Sequence, residues 1–250
     1  MENLKFTLIQ CRNPNDPMRE QEIQCFSQAL NFPGAIVTGV NILEEIPHTK
    51  LFEQSDAILI GGSGDYGVID EHAFLHPLFK FLGDACEAGF PMFASCFGFQ
   101  ALCQALGGNV IRDSKNTEVG TYKIQLTDEG KVDPLFSELP EQFYAQVGHK
   151  DRADKLPIGA VNLAFSDKAP CQAYKIKNKP IYATQFHPEL TMAQNRERFE
   201  IYIDGYTHDK TGMDAELIRN SYRESRETYR LLPLFVEKVL LAEKTGMANN

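Results

Sequence analysis

Apolar positions along the chain fall into two alternating patterns. Short runs of strand length recur at residues 6–11, 35–40, 57–60 and 91–95, and amphipathic segments of helix length lie between them. One helix is predicted over 19–29, entered through the turn Asn13-Pro14-Asn15-Asp16-Pro17. Another carries Ala73, Leu75, Leu78, Phe79 and Leu82 at helical spacing. Strand and helix in alternation predict a mostly parallel sheet covered on both faces. From residue 122 the pattern changes. Runs at 122–126, 142–147, 161–164, 172–176 and 181–186 follow one another with few helix-length connections, which predicts antiparallel neighbours. The expected fold is therefore α/β, a mostly parallel central sheet with helices on both faces and an antiparallel extension. Residues 1–192 read as one such domain. Residues 193–250 read as a polar helical tail packed on it or extending from it, interrupted at Pro233 and fraying over 246–250.

Composition narrows the partners. The 250 residues carry 25 Lys and Arg against 34 Asp and Glu, a formal net charge of -9. An acidic chain repels phosphate backbones, so nucleic acid is not an expected partner. No apolar stretch reaches the 18 residues a membrane span needs, and residues 1–6 read as the approach to a first strand rather than a signal peptide. Six cysteines without a C-x-x-C pair read as free thiols in a reducing cytoplasm. Oligomeric state is left open, a homo-oligomer included.

Chemistry concentrates at three places. In Phe93-Ala94-Ser95-Cys96-Phe97-Gly98-Phe99-Gln100 a buried strand runs straight into a helical pattern with Cys96 at the junction. That is the setting of a nucleophile elbow: Ala94 and Gly98 leave room for a sharp turn, and the helix N-terminus favours a thiolate. The bland alternative is a packed core cysteine. Upstream, the strand 57–60 ends in Gly61-Gly62-Ser63-Gly64. Gly62, Gly64 and Gly67 formally match a dinucleotide fingerprint, but the strand is not the first and no acid sits at the next strand end. An oxyanion hole built from the N–H groups of Gly62 and Phe97 fits better. Downstream, His187-Pro188-Glu189 follows a strand. Pro188 stops the ladder, and Glu189 falls on the same side as His187, where a carboxylate can orient a base.

Together these segments resemble the class I glutamine amidotransferases, whose pattern is a glycine oxyanion strand, a C-x-G-x-Q elbow and a distant H-P-E. The resemblance spans residues 40–190. Residues 146–151 (Gln-Val-Gly-His-Lys-Asp) and the stretch 118–130 are also similar to the glutaminase domain of GMP synthetases. The resemblance implies a Cys96-His187-Glu189 triad, an oxyanion hole at Gly62 and Phe97, and substrate contacts from Gln100, Gly64, Gly148, His149 and Lys150, with no metal or organic cofactor. The chain departs from the pattern at Ala94, where glycine is usual, at Phe99, where histidine is frequent, and at Gly148, where serine or asparagine is common.

The implied reaction is hydrolysis of the side-chain amide of glutamine through a γ-glutamyl thioester, releasing ammonia. No ATP-binding motif occurs in the sequence, so either a separate synthetase subunit takes that ammonia or the enzyme is a simple hydrolase. The alternatives are a γ-glutamyl peptide hydrolase using the same triad, and a non-enzymatic module of the same sheet type. His72 and His76 at i and i+4 lack a third metal ligand and read as an exposed helix face, and His48 and His208 as surface residues. Arg219, Arg223, Arg226 and Arg230, interleaved with glutamates, read as a solvated helix.

Overall fold

The computed structural model describes residues 3–207 and 213–242. Its strands are β1 (Lys5–Gln10), β2 (Ile36–Asn41), β3 (Ala57–Ile60), β4 (Met92–Ser95), β5 (Asn109–Arg112), β6 (Glu118–Leu126), β7 (Gln142–His149), β8 (Asp151–Lys155), β9 (Ala160–Phe165), β10 (Ala173–Ile176) and β11 (Ile181–Thr184). Nine of them form one sheet in the order β2-β1-β3-β4-β11-β10-β9-β6-β7, and β5 pairs with β8 apart from it. From β2 to β11 the neighbours are parallel. From β11 to β7 they are antiparallel. The predicted α/β sheet with its antiparallel extension is what the chain forms.

The central strands β3 (AILI), β4 (MFAS) and β11 (IYAT) are buried along their whole length. Continuous apolar or small runs of this kind suit strands covered on both faces. Their side chains alternate between two cores. Leu8, Leu59 and Phe93 face one core, with α1 (Met18–Leu30). Ile58, Ile60 and Ala94 face the other.

The remaining helices are α2 (Leu51–Gln54), α3 (Leu75–Glu87), α4 (Phe97–Ala105), α5 (Asp128–Lys131), α6 (Met192–Ile201), α7 (Ile203–Thr207), α8 (Ala215–Ser221) and α9 (Leu231–Phe235). The last runs on through a π-helical stretch, Val236–Leu241. Helices α3 and α4 cover the second core. Helix α6 starts with a capping box: the Thr191 hydroxyl accepts from Gln194 N–H, and the Gln194 side chain accepts from Thr191 N–H.

Several expectations change. Pro233 does not interrupt the tail; it lies in the first turn of α9, where no intrahelical bond needs its missing N–H. Nor is the tail polar throughout. Leu231, Leu232, Phe235 and Val236 are buried in the first core, and the Phe235 ring meets Phe93 edge-on at 5.5 Å. The arginine-rich stretch is not one helix: α8 ends at Ser221, and Tyr222 turns extended. Arg219 pairs with Glu200 at 2.8 Å, while Arg223 lies over the Tyr144 ring. His72 precedes α3 and stacks on Phe74, and His48 is exposed. Strands β5 and β8 had no clear sequence signal. His208 and residues 246–250 lie outside the described residues. Among the described residues no cluster of His, Cys, Asp or Glu could hold a metal ion, and no helix is long and apolar enough to cross a membrane.

Candidate active site

Sheet order explains why three remote segments meet. Strands β3, β4 and β11 are neighbours, with Ile60 beside Ala94 and Ser95 beside Thr184. Their C-terminal ends therefore deliver the glycine loop, Cys96 and the His-Pro-Glu turn to one edge, where open α/β sheets place their ligands.

Cys96 occupies a conformation that a core cysteine has no reason to adopt. Its φ is 51°, one of three positive values among the non-glycine residues described. Such backbone costs about 1–3 kcal/mol and persists only where the surroundings impose it. Here they do. Cys96 N–H donates to Thr184 O at 2.8 Å, and Gly98 N–H to Gly61 O at 3.0 Å, pinning the turn between β11 and the end of β3. Gly98 is required by contact as well as by the turn: a Cβ there would lie 2.6 Å from the carbonyl oxygen of Ile60. Phe97 is the first residue of α4, so helix geometry gives its N–H no partner within the helix.

The imidazole of His187 lies close enough to Cys96 for the two to interact electrostatically. The sulfur also points at Gly148 O, 3.7 Å away. On the other side, His187 Nδ1 lies 2.7 Å from Glu189 Oε1. Burial lowers the imidazole pKa, but the charges of Glu189 and Cys96 outweigh it and push it up to about 9. Burial works against the Glu189 carboxylate too, yet His187 and Arg198 hold it below the usual carboxylate range. Arg198 Nη1 stands 3.5 Å from Glu189 Oε1.

The second expected oxyanion donor is engaged elsewhere. Gly62 N–H donates to Glu22 Oε1 at 3.0 Å. Glu22 comes from α1 and is fully buried, so it needs donors. It takes Gly62 N–H, Arg12 Nη2 at 2.9 Å and Gln10 Nε2 at 3.0 Å. Gly62 itself sits against the base, since a Cβ there would be 2.9 Å from His187 Cε1.

A cavity of about 260 Å³ opens in front of Cys96 and Phe97. Gly64, Gln100, Gly148, His149 and Lys150 all line it, so these expected substrate contacts do converge on one space. Not all of their polar groups are uncommitted. Gln100 Nε2 donates to Asp151 O at 2.8 Å and Lys150 Nζ to Gly205 O at 3.0 Å. The ring nitrogens of His149 face Glu118 Oε2 and Asp151 O, so that side chain braces the wall.

This arrangement has known counterparts. The family description "Glutamine amidotransferase class-I" matches residues 22–201. The chain is 33% identical over 155 residues to the glutamine-hydrolyzing GMP synthase subunit of Methanocaldococcus jannaschii, covering 62% of this chain and 74% of that one. The chain belongs to the class I glutamine amidotransferases. It is also 38% identical over 104 residues to the GMP synthase of Thermosipho melanesiensis, but that match spans only 19% of the longer protein. A glutamine amidotransferase structure from Thermotoga maritima superposes with a TM-score of 0.74 at 21% identity, covering 96% of this chain and 99% of that one. One from Methylobacillus flagellatus gives 0.67 at 18%, covering 99% and 94%.

For an amidotransferase of this class, several residues around Cys96, His187 and Glu189 carry no short sequence signature. Glu22 and Arg198 sit mid-helix, and nothing in their spacing marks a helical charge as buried. Arg112 lies on β5, a strand not predicted. It reaches the cavity held by Asp151 at 3.0 Å and Asp70 at 3.2 Å. Tyr202 and Tyr206 line the same cavity from just beyond the matched region.

Proposed function

We propose that this amidotransferase hydrolyses the side-chain amide of glutamine at Cys96. The observation that carries the reading is the strained Cys96 turn opening on a cavity, with His187 close to Cys96 and hydrogen-bonded to Glu189. The sulfur attacks the amide carbon, with Phe97 N–H as one oxyanion donor. Gly62 N–H joins it by turning from Glu22. His187, oriented by Glu189, protonates the departing nitrogen, then takes a proton from water as it attacks the γ-glutamyl thioester, and glutamate leaves. The cavity lining includes Arg112 and Lys150 together with Asp65, Asp70 and Asp151. Charges of both signs there suit the zwitterionic end of a free amino acid.

The ammonia would pass to a separate ATP-using synthetase, as the likeness to one subunit of a GMP synthase suggests. The test is ammonia release from glutamine by the purified protein. Wild type is expected to release it and Cys96→Ser to lose that activity. Release unchanged in Cys96→Ser would overturn the reading.

A further inference from the structure

Two tyrosines beyond the matched family region stand where the amine must depart. Tyr202 and Tyr206 lie past residue 201, yet both line the cavity in front of Cys96. Both also line a second, smaller cavity of about 30 Å³ that holds His187, Gly62, Asn195 and Arg198. Ser63, Gly148, Tyr202 and Tyr206 line both spaces. In the hydrolysis proposed above, the nitrogen that leaves is the one His187 protonates. His187 lines only the smaller space, so that is the leaving-group side. At about 10–15 Å³ for each water-sized molecule, it has room for about two of them. Ammonia fits; an amino acid does not.

The walls are fixed rather than loosely draped. Tyr206 Oη donates to Gly148 O at 3.1 Å, the carbonyl that the Cys96 sulfur also faces. Its ring packs near Phe199, in a small apolar cluster with Val119 and Ile218. The Tyr202 hydroxyl accepts from Arg12 Nη1 at 2.7 Å and donates to Asp16. Its ring fills the space that a side chain on Gly64 would take. Lys150 Nζ adds a bond to Gly205 O between the two tyrosines.

We infer that Tyr202 and Tyr206 set leaving-group size, restricting the enzyme to amides whose departing amine is no larger than ammonia. This rests on the glutaminase reading and adds to it a specificity device that the family match does not contain. The restriction acts on the departing amine and leaves the γ-glutamyl end alone.

The test is a ladder of substrates that differ only in the departing amine: glutamine, γ-glutamylmethylamide, γ-glutamylethylamide and γ-glutamylalanine. For wild type, kcat/KM is expected to fall about tenfold or more with each added carbon, and γ-glutamylalanine to be inert. Tyr206→Ala should raise the ethylamide-to-glutamine ratio about tenfold or more, while Tyr206→Phe, which keeps the ring, retains the size preference. Should Tyr206→Ala fail to fold, the wild-type ladder decides. Comparable wild-type turnover of γ-glutamylalanine and glutamine overturns the inference and leaves the Cys96 chemistry standing. So does an unchanged ratio in a folded, active Tyr206→Ala. No ammonia from glutamine with wild type overturns the glutaminase reading itself, and this inference with it.

Discussion

His187 Nδ1 and Glu189 Oε1 lie 2.7 Å apart, and both residues are almost sealed from solvent. The pair fixes how the site responds to pH. Glu189 and Cys96 raise the imidazole pKa to about 9 against the effect of burial. A raised value in the folded state means that His187 adds stability fully below its ordinary pKa of about 6.5, and that this is lost as pH rises through about 9. The alkaline limb of kcat/KM should fall in the same region. In Glu189→Gln the limb should move to lower pH and kcat should fall by about 10²–10⁴. A pH–rate profile of both proteins checks this; a limb that does not move counts against Glu189 as the orienting group.

Gly98→Ala places a Cβ 2.6 Å from a backbone oxygen of β3, which cannot step aside as a side-chain tip would. The expected cost is about 1–3 kcal/mol. Because Gly98 follows Cys96 by two residues, the sulfur should be displaced as well. Thermal melts and the rate of Cys96 alkylation by a glutamine-like reagent measure the two effects. Wild-type values for both would mean that the elbow tolerates the methyl group.

Glu22→Gln leaves Arg12 and Arg198 short of a buried counter-charge. Breaking a buried pair from one side costs about 3–5 kcal/mol. Burial acts to raise the Glu22 pKa, but the two arginines hold it below the usual carboxylate range. Its contribution is therefore present above about pH 4.3, the ordinary glutamate value, and is lost as pH falls through the lowered value. Urea denaturation across the acid range, from near neutrality down past that value, should show a shallower acid dependence in the variant. Parallel curves would remove Glu22 from the account.

Phe235→Ala should cost about 3–5 kcal/mol, the usual range for emptying a buried phenylalanine site. The ring lies against Phe93 on β4 and Tyr182 on β11, the strands that lead to Cys96 and His187. Glutaminase activity should fall with it. Equilibrium unfolding gives the first effect and glutaminase assays the second. A loss below about 1 kcal/mol would show that the helix is dispensable to the sheet.

The sheet was legible because its central strands are buried on both faces and read as plain apolar runs. The segments that bring Cys96 and His187 together were legible because each interrupts such a run with a local oddity: a cysteine two residues before a glycine, a proline after a histidine. The supporting charges were not. Glu22 lies on a helix whose other acid, Glu20, faces solvent, and only the approach of Arg12 and Arg198 in three dimensions makes it a buried anion. The polar reading of the tail averaged two different stretches. Residues 192–207 are largely polar, whereas 231–240 hold a dense apolar group that the arginines upstream concealed.

Helix α9 also imposes an order on synthesis. The chain emerges N-terminus first, so Cys96, His187 and Glu189 are all translated before Leu231. Until α9 leaves the ribosome, β4 and β11, the strands that lead to Cys96 and His187, are missing one of their covers. A nascent chain then holds Cys96, His187 and Glu189 without one of the layers that backs their strands, and their alignment is complete only after Phe235 has been made.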